Sequence, residues 1–249
     1  MKKIIAIFLI SFVSIYAKSI IATYKVSFGV FGEIGTAKAI LKINNNNTYS
    51  ISIKAVATGM AKVLSGGRVE SYESSGKIIN ALLVPDIYKG ITKKTNKTSI
   101  KIYYFLHKKR VVDVLKIKIR QNQERKSNET LKYYANNDIL TLFFNIKHYL
   151  DDFHFKGKKI LHAVGANKKD GRVDIIVPTG KNLQKLKKYL NEKSGHFLIA
   201  FINQKIFSSK RGELYLDIND EGICTKAILK DVILFGDIRG KLVDIKYER

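Results

Sequence analysis

Between Ala22 and Ala57 the chain changes polarity at almost every step. Ala22, Tyr24, Val26, Phe28 and Val30 alternate with Thr23, Lys25, Ser27 and Gly29. Past a turn at Phe31-Gly32-Glu33, Ala37, Ala39, Leu41 and Ile43 alternate with Thr36, Lys38 and Lys42. Past Asn44 to Asn47, Tyr49, Ile51, Ile53, Ala55 and Ala57 alternate with Ser50, Ser52 and Lys54. A two-residue period places every second side chain on one face of a strand, whereas a helix needs apolar residues three and four apart. The segment is therefore an antiparallel meander of three strands with one buried face.

The same reading extends along the chain. Met60 to Leu64 has the makings of one helical turn, closed by Gly66-Gly67. Arg68 to Ser74 and Lys77 to Val84 read as a hairpin, Lys89 to Thr98 as a basic loop, and Ile100 to Leu106 with Arg110 to Ile119 as a pair around His107-Lys108-Lys109. Gln121 to Asn128 reads as a polar, exposed hairpin tip. The period then lengthens. Asn137 or Asp138 can cap a helix whose Ile139, Leu142, Phe143, Ile146, Tyr149 and Leu150 share one apolar face. A second helix is predicted over Asn182 to Glu192 on Leu183, Leu186 and Leu190, with a stop at Ser194-Gly195. Strands are expected at 158–165, 173–177, 197–206, 212–218, 223–230 and 232–247. In the last of these the apolar positions move from even numbers, Leu234 to Leu242, to odd numbers at Val243, Ile245 and Tyr247. That switch points to a bulge or bend near Gly240. A flat sheet of so many strands is unusual. The fold class is accordingly mainly β: a large curled antiparallel sheet, barrel or half-barrel, with about two amphipathic helices. The helix at 138–150 is its lid or plug.

Residues 1–19 have the form of a secretory signal: Lys2 and Lys3, an apolar run from Ile4 to Ile15, then small residues around Ala17. The run is shorter than the ~20 residues of a spanning helix, and no Cys follows it for acylation. Residues 20–249 form a single β-rich domain, since no linker rich in Pro, Gly or Ser divides them. Outer-membrane barrels commonly end in an aromatic residue and carry aromatic girdles; this chain ends Tyr247-Glu248-Arg249. The expected location is the periplasm, with no integral membrane segment after cleavage. The 45 Lys and Arg against 21 Asp and Glu give a formal charge of +24. Such a field steers anions, and in an exported protein the natural counter-charges are anionic lipid head groups or other acidic envelope components. A solvated lysine surface accounts for it too. The basic residues look scattered and no stacking-aromatic motif accompanies them, so nucleic acid is not an expected partner.

Several short motifs carry a family resemblance. These are Tyr24-x-Val26-x-Phe28-Gly29 with Gly32-x-x-Gly35, and Arg68-x-Glu70-Ser71 with Gly76 and Pro85-x-x-Tyr88. Asp138-Ile139-Leu140-Thr141-Leu142-Phe143-Phe144 and Asp231-Val232-x-Leu234-Phe235-Gly236 complete the set. Together they resemble the exported bacterial family known as domain of unknown function 3108, over nearly the whole chain after the leader. The resemblance implies a periplasmic, β-rich protein and brings no catalytic residues with it.

No established catalytic constellation is present. The sequence lacks G-x-S-x-G, Ser65-Gly66-Gly67 lacks the context of a nucleophile elbow, and the glycines at 59–67 lack the ending of a phosphate loop. One cysteine, Cys224, makes no internal disulfide or zinc cluster and reads as a packing thiol. His148, Asp152 and His154 lie close enough in sequence to be weak metal candidates; an apolar helix end with solvated carboxylates explains them as well. No cofactor is expected. Arg68, Glu70 and Tyr72 share a strand face. Pointing inward, they would anchor a ligand head group beside the apolar Phe143 and Ile146; pointing outward, they are a surface ion pair worth under ~1 kcal/mol. The function these features favour is non-enzymatic binding of a lipid-like or amphiphilic ligand in envelope maintenance. The alternatives are a scaffold module docking an envelope protein, and a hydrolase of envelope polymers using Asp151 and Asp152 or Glu70 and Glu73.

Overall fold

The protein is seen here as a computed structural model, which describes residues 18–59, 62, 67–167, 169–202, 212–232 and 236–248. The expected leader (through Ala17), most of the helical turn at 60–64, Ser65 and Gly66, and the end of the expected strand 197–206 lie outside the described residues.

Among the described residues fifteen strands make one sheet. The first run is β1 (Lys18–Phe28), β2 (Glu33–Ile43), β3 (Thr48–Ala57), β4 (Val69–Ile79), β5 (Leu82–Lys94), β6 (Lys97–Leu106), β7 (Val111–Arg120) and β8 (Gln123–Thr130). The second is β9 (Asn137–Asp138), β10 (Gly157–Val164), β11 (Arg172–Val177), β12 (His196–Phe201), β13 (Glu213–Ile218), β14 (Cys224–Val232) and β15 (Gly236–Glu248). Each run is a meander, and β1 pairs with β15, so the two ends of the chain join the runs in the middle of the sheet. The flanking strands are β8 and β9, and the sheet is curled without closing. All pairings are antiparallel except β9 with β10.

The alternation places one continuous inner face. Ala22 pairs with Ala39, Ala39 with Ile53, and Ile53 with Tyr72. On the other run Ala227 pairs with Leu216, Leu216 with Leu198, and Ile175 with Ala200. This face is covered by the segment between the runs. Helix α1 (Ile139–Phe144) and the single turn α2 (Ile146–Tyr149) bring Leu142, Ile146 and Leu150, all at 0 % exposure, against Val173, Ile175, Leu198 and Leu216. Leu140 of the same segment packs with Leu41, Tyr49, Ile51, Phe105 and Val112 of the first run. The expected lid is thus a plug, inserted between both halves. Helix α3 (Gly180–Leu190) lies on the opposite, outer face, where Leu186 and Leu190 meet Phe197 and Ile228.

Four local expectations are corrected. Lys89 to Thr98 is not a loop: β5 runs to Lys94, and only two residues separate it from β6. Gln121 to Asn128 is not a free tip, because Gln123–Thr130 pairs with β7 as an exposed edge strand. The plug helix is broken at Asn145 into α1 and α2. The irregularity in β15 falls at Val243, which is skipped where Thr23 pairs with Asp244 and Tyr24 with Leu242. The parity switch between Leu242 and Val243 marks the bulge itself, and Gly240 lies in regular pairing with Val26 and Ala227.

Candidate functional site

The plug is held by polar groups that the inner face would otherwise leave unpaired. Asp138 caps α1, its Oδ1 accepting from the N–H groups of Leu140 (2.7 Å) and Thr141 (3.0 Å), while Thr141 Oγ1 accepts from the Asp138 N–H at 2.9 Å. Its other oxygen accepts from Ser74 of β4 at 2.6 Å, and Ser74 Oγ in turn lies 3.1 Å from the Tyr49 hydroxyl. Asp138 is fully buried, and desolvation pushes its carboxyl up to about 6 against the opposing pull of these hydrogen bonds. Asn145, at the break, accepts from Leu83 N–H and donates to Leu83 C=O, both at 2.9 Å. Its amide thus pairs with the backbone of β5 as a neighbouring strand would.

Beside the plug, the sheet overlaps itself and leaves a cavity of about 1250 Å³. One wall is the inner face of β4–β8, including Tyr72, Tyr88, Tyr103, Lys101 and Lys116. The other includes Arg172, Asp174 and Phe201. Those three stand on the face of β11 and β12 opposite to the one that carries Val173, Ile175 and Ala200 into the core. The first run therefore passes behind the edge of the second. Contact there is close: a side chain at Gly165, whose φ is +89°, would start 2.8 Å from the Tyr88 ring. Gly90 has the opposite role. It faces the Tyr72 ring and leaves wall space that any larger residue would fill.

Polarity changes along the wall strands. Tyr88 pairs with Tyr103, their rings stacked with centroids 5.4 Å apart; one step further Gly90 pairs with Lys101, and beyond it Thr92 pairs with Ser99. Burial raises the hydroxyls of Tyr72, Tyr88 and Tyr103 above the ordinary tyrosine range, so all three remain neutral donors. Lys116 is paired with Glu129. Arg172 Nε donates to Asp174 at 2.6 Å and Lys158 donates to the same carboxylate at 2.8 Å, which lowers the Asp174 pKa.

Of the residues singled out from sequence, Arg68, Glu70 and Tyr72 are together, with Glu70 buried, Tyr72 in the cavity wall and Arg68 exposed outside it. Arg68 donates to Glu70 Oε1 through Nε at 2.9 Å and also through Nη2, Glu70 is only 8 % exposed, and Tyr72 lines the cavity. Phe143 and Ile146 do not join them: they pack in the core of the second run and line no cavity wall. The metal candidates do not converge. His148 stacks edge-on with Tyr149, Asp152 pairs with Lys147 at 3.0 Å, and His154 Nδ1 lies 2.9 Å from the Asp151 carbonyl. Among the described residues no group of three or more His, Cys, Asp or Glu side chains is placed to hold a metal, and no helix is long and apolar enough to cross a membrane. Sequence reading did not place Tyr88, Tyr103, Lys101 or Lys116 at the site; Tyr88 was noted only in the Pro85-x-x-Tyr88 motif, and the signal for the other three is their parity on adjoining strands. A second cavity, about 720 Å³, lies on the outer face between α3 and β11–β13 and includes Tyr189, Tyr215 and Lys185.

No known family profile matches the chain, and no curated protein matches it. Among solved structures it is similar to the β-barrel-like protein of domain of unknown function DUF1849 from Brucella abortus. The TM-score is 0.48 at 9 % identity, over 94 % of this chain and 98 % of the other.

Proposed function

We propose that this protein is an exported periplasmic binding protein, akin to the domain of unknown function 3108 family, that holds an amphiphilic molecule in the cleft where its sheet overlaps. The reading rests on one observation: a cavity of about 1250 Å³ whose wall grades from stacked tyrosines to lysines. Rings with polar tips suit the apolar part of an amphiphile and cations suit an anionic head. The central concavity is not the site, because the plug fills it. Tyr72 lies in the wall and touches the ligand, Arg68 and Glu70 stand next to it on the same strand outside the lining, and Phe143 and Ile146 serve the plug.

The test is mass spectrometry of solvent extracts from protein purified out of its own envelope compartment. An amphiphile co-purifies with the native chain and is lost from Gly90→Leu, a variant that fills the cavity without entering the plug. A native chain that brings no amphiphile overturns the reading. Export is tested separately by N-terminal sequencing of the mature protein, which should begin near Lys18.

A second reading, an interaction module of the envelope, is favoured by the outer face of β5–β7. There Ile91, Ile100 and Ile117 are cross-strand neighbours, with Ile87 at 39 % and Tyr104 at 38 % exposure beside them. In-cell cross-linking from this face gives one dominant protein partner if it is correct.

A further inference from the structure

The inner face of β6–β8 continues beyond the cavity wall in ordered rows. Outward from the tyrosines, the rows are Tyr103–Val114–Glu129, Lys101–Lys116–Ser127, Ser99–Lys118–Arg125 and Lys97–Arg120–Gln123. Three of them set two cations directly opposite one another: Lys101 with Lys116, Lys118 with Arg125, and Lys97 with Arg120. Like charges in that position destabilise a sheet. Glu129 is the one acidic side chain on this face of the three strands; it is engaged by Lys116, and Lys101 too is engaged, so the like-charge opposition is carried by the two outer pairs, Lys118 with Arg125 and Lys97 with Arg120. The reverse face of the same strands carries Ile100, Ile102, Leu115, Ile117 and Ile119. The cations are thus on the side that leads into the cleft and the aliphatic residues on the side away from it. A general lysine coat would place them the other way round.

Rows two residues apart are separated by roughly 7 Å, so three of them span roughly 14 Å along the strands. That is more than a single carboxylate can occupy, and it includes two arginines, whose planar fork suits phosphate oxygens. We infer that this ladder binds a group bearing more than one phosphate charge, presented at the mouth of the cleft. It deepens the amphiphile reading by naming the head group, and it rests on that reading only for the apolar part of the ligand.

Calorimetry on the mature protein tests it with three probes: tripolyphosphate, dihexanoyl phosphatidic acid and dihexanoyl phosphatidylcholine. Both phosphate-monoester and polyphosphate probes should bind roughly tenfold or more tighter than the choline ester. The double variant Lys118→Gln/Arg125→Gln should lose at least that preference. It should also melt higher than the native chain in the absence of ligand, because an opposed like-charge pair has gone. Equal affinity for the three probes, or a double variant that binds as the native chain does, overturns the ladder and leaves the amphiphile reading standing. Gly90→Leu separates the sources. If it weakens phosphatidic acid and spares tripolyphosphate, a lipid head group is the ligand. If it spares both, the ladder stands as a site for free phosphates and the amphiphile reading falls. A single-stranded oligonucleotide that binds tighter than tripolyphosphate overturns the proposal in favour of nucleic acid.

Discussion

A carboxylate without a cation, enclosed between a sheet and the helix it caps, makes Asp138 the most informative single residue. In the native state its pKa is raised to about 6, against an ordinary 3.8 in the unfolded chain. Between those values the native state holds a proton that the unfolded state has released. The stability contributed by the neutral acid is therefore full below about 3.8 and is lost as pH rises through about 6. Unfolding free energies of the native chain from urea titrations should fall across that interval relative to those of Asp138→Asn, by up to about 3 kcal/mol. A flat difference between the two would show that Asp138 is ionised throughout. Cys224 gives a second prediction at this scale. Its thiol donates to Lys226 C=O at 3.3 Å, and burial beside Asp217 pushes it up to about 12. Alkylation by iodoacetamide at neutral pH should be negligible until the protein is unfolded. A cap at Asn137 or Asp138 was legible in the sequence before an apolar helical face, and the structure selects Asp138. The protonation behaviour was not, because it depends on Ser74 and on burial between the plug and the sheet.

At the scale of elements, the plug shows how one side chain can stand in for a strand. Asn145 satisfies both backbone groups of Leu83, and Asn145→Ala leaves a buried donor and a buried acceptor without partners. The expected loss is about 3 kcal/mol in denaturant unfolding, far above the cost of a surface Asn→Ala change. The helix period over 139–150 gave no sign of the break, since Ile146 and Leu150 keep the apolar face continuous across it. In β15 the sequence was more informative than its first interpretation. The phase of the apolar positions flips between Leu242 and Val243, and the extra residue lies at that point. The strands at 89–94 and 123–130 were hidden for the opposite reason. In 89–94 Lys89 and Lys93 stand on the outer face opposite Gly90 and Thr92, and 123–130 is exposed at a sheet edge, so no burial pattern marks either.

For the whole molecule, the net charge of +24 becomes a local feature once β6, β7 and β8 are in register. Six cations between Lys97 and Arg125 gather on one face, while the rest of the 45 Lys and Arg stay spread along the chain. The same flank ends in an open edge. β8 is exposed throughout, and its Glu124, Arg125, Lys126 and Glu129 keep it from pairing with another chain. Replacing Glu124 and Lys126 with Val should leave the chain folded but increase its concentration-dependent association over that of the native chain, measurable by light scattering.

What the sequence determined alone was set by local periodicity and local chemistry: most of the strands, the amphipathic helices, a helix cap at Asn137 or Asp138, and a sheet too wide to stay flat. These depend on side-chain alternation and backbone preference within a few residues, which the chain states directly. Only the tertiary structure decided that the 138–150 segment fills the concavity and that the sheet rolls past its own edge, bringing Tyr88 and Lys101 opposite Arg172 and Phe201. That outcome follows from the balance of sheet twist, plug volume and the pairing of the two chain ends, and no single stretch of sequence contains it.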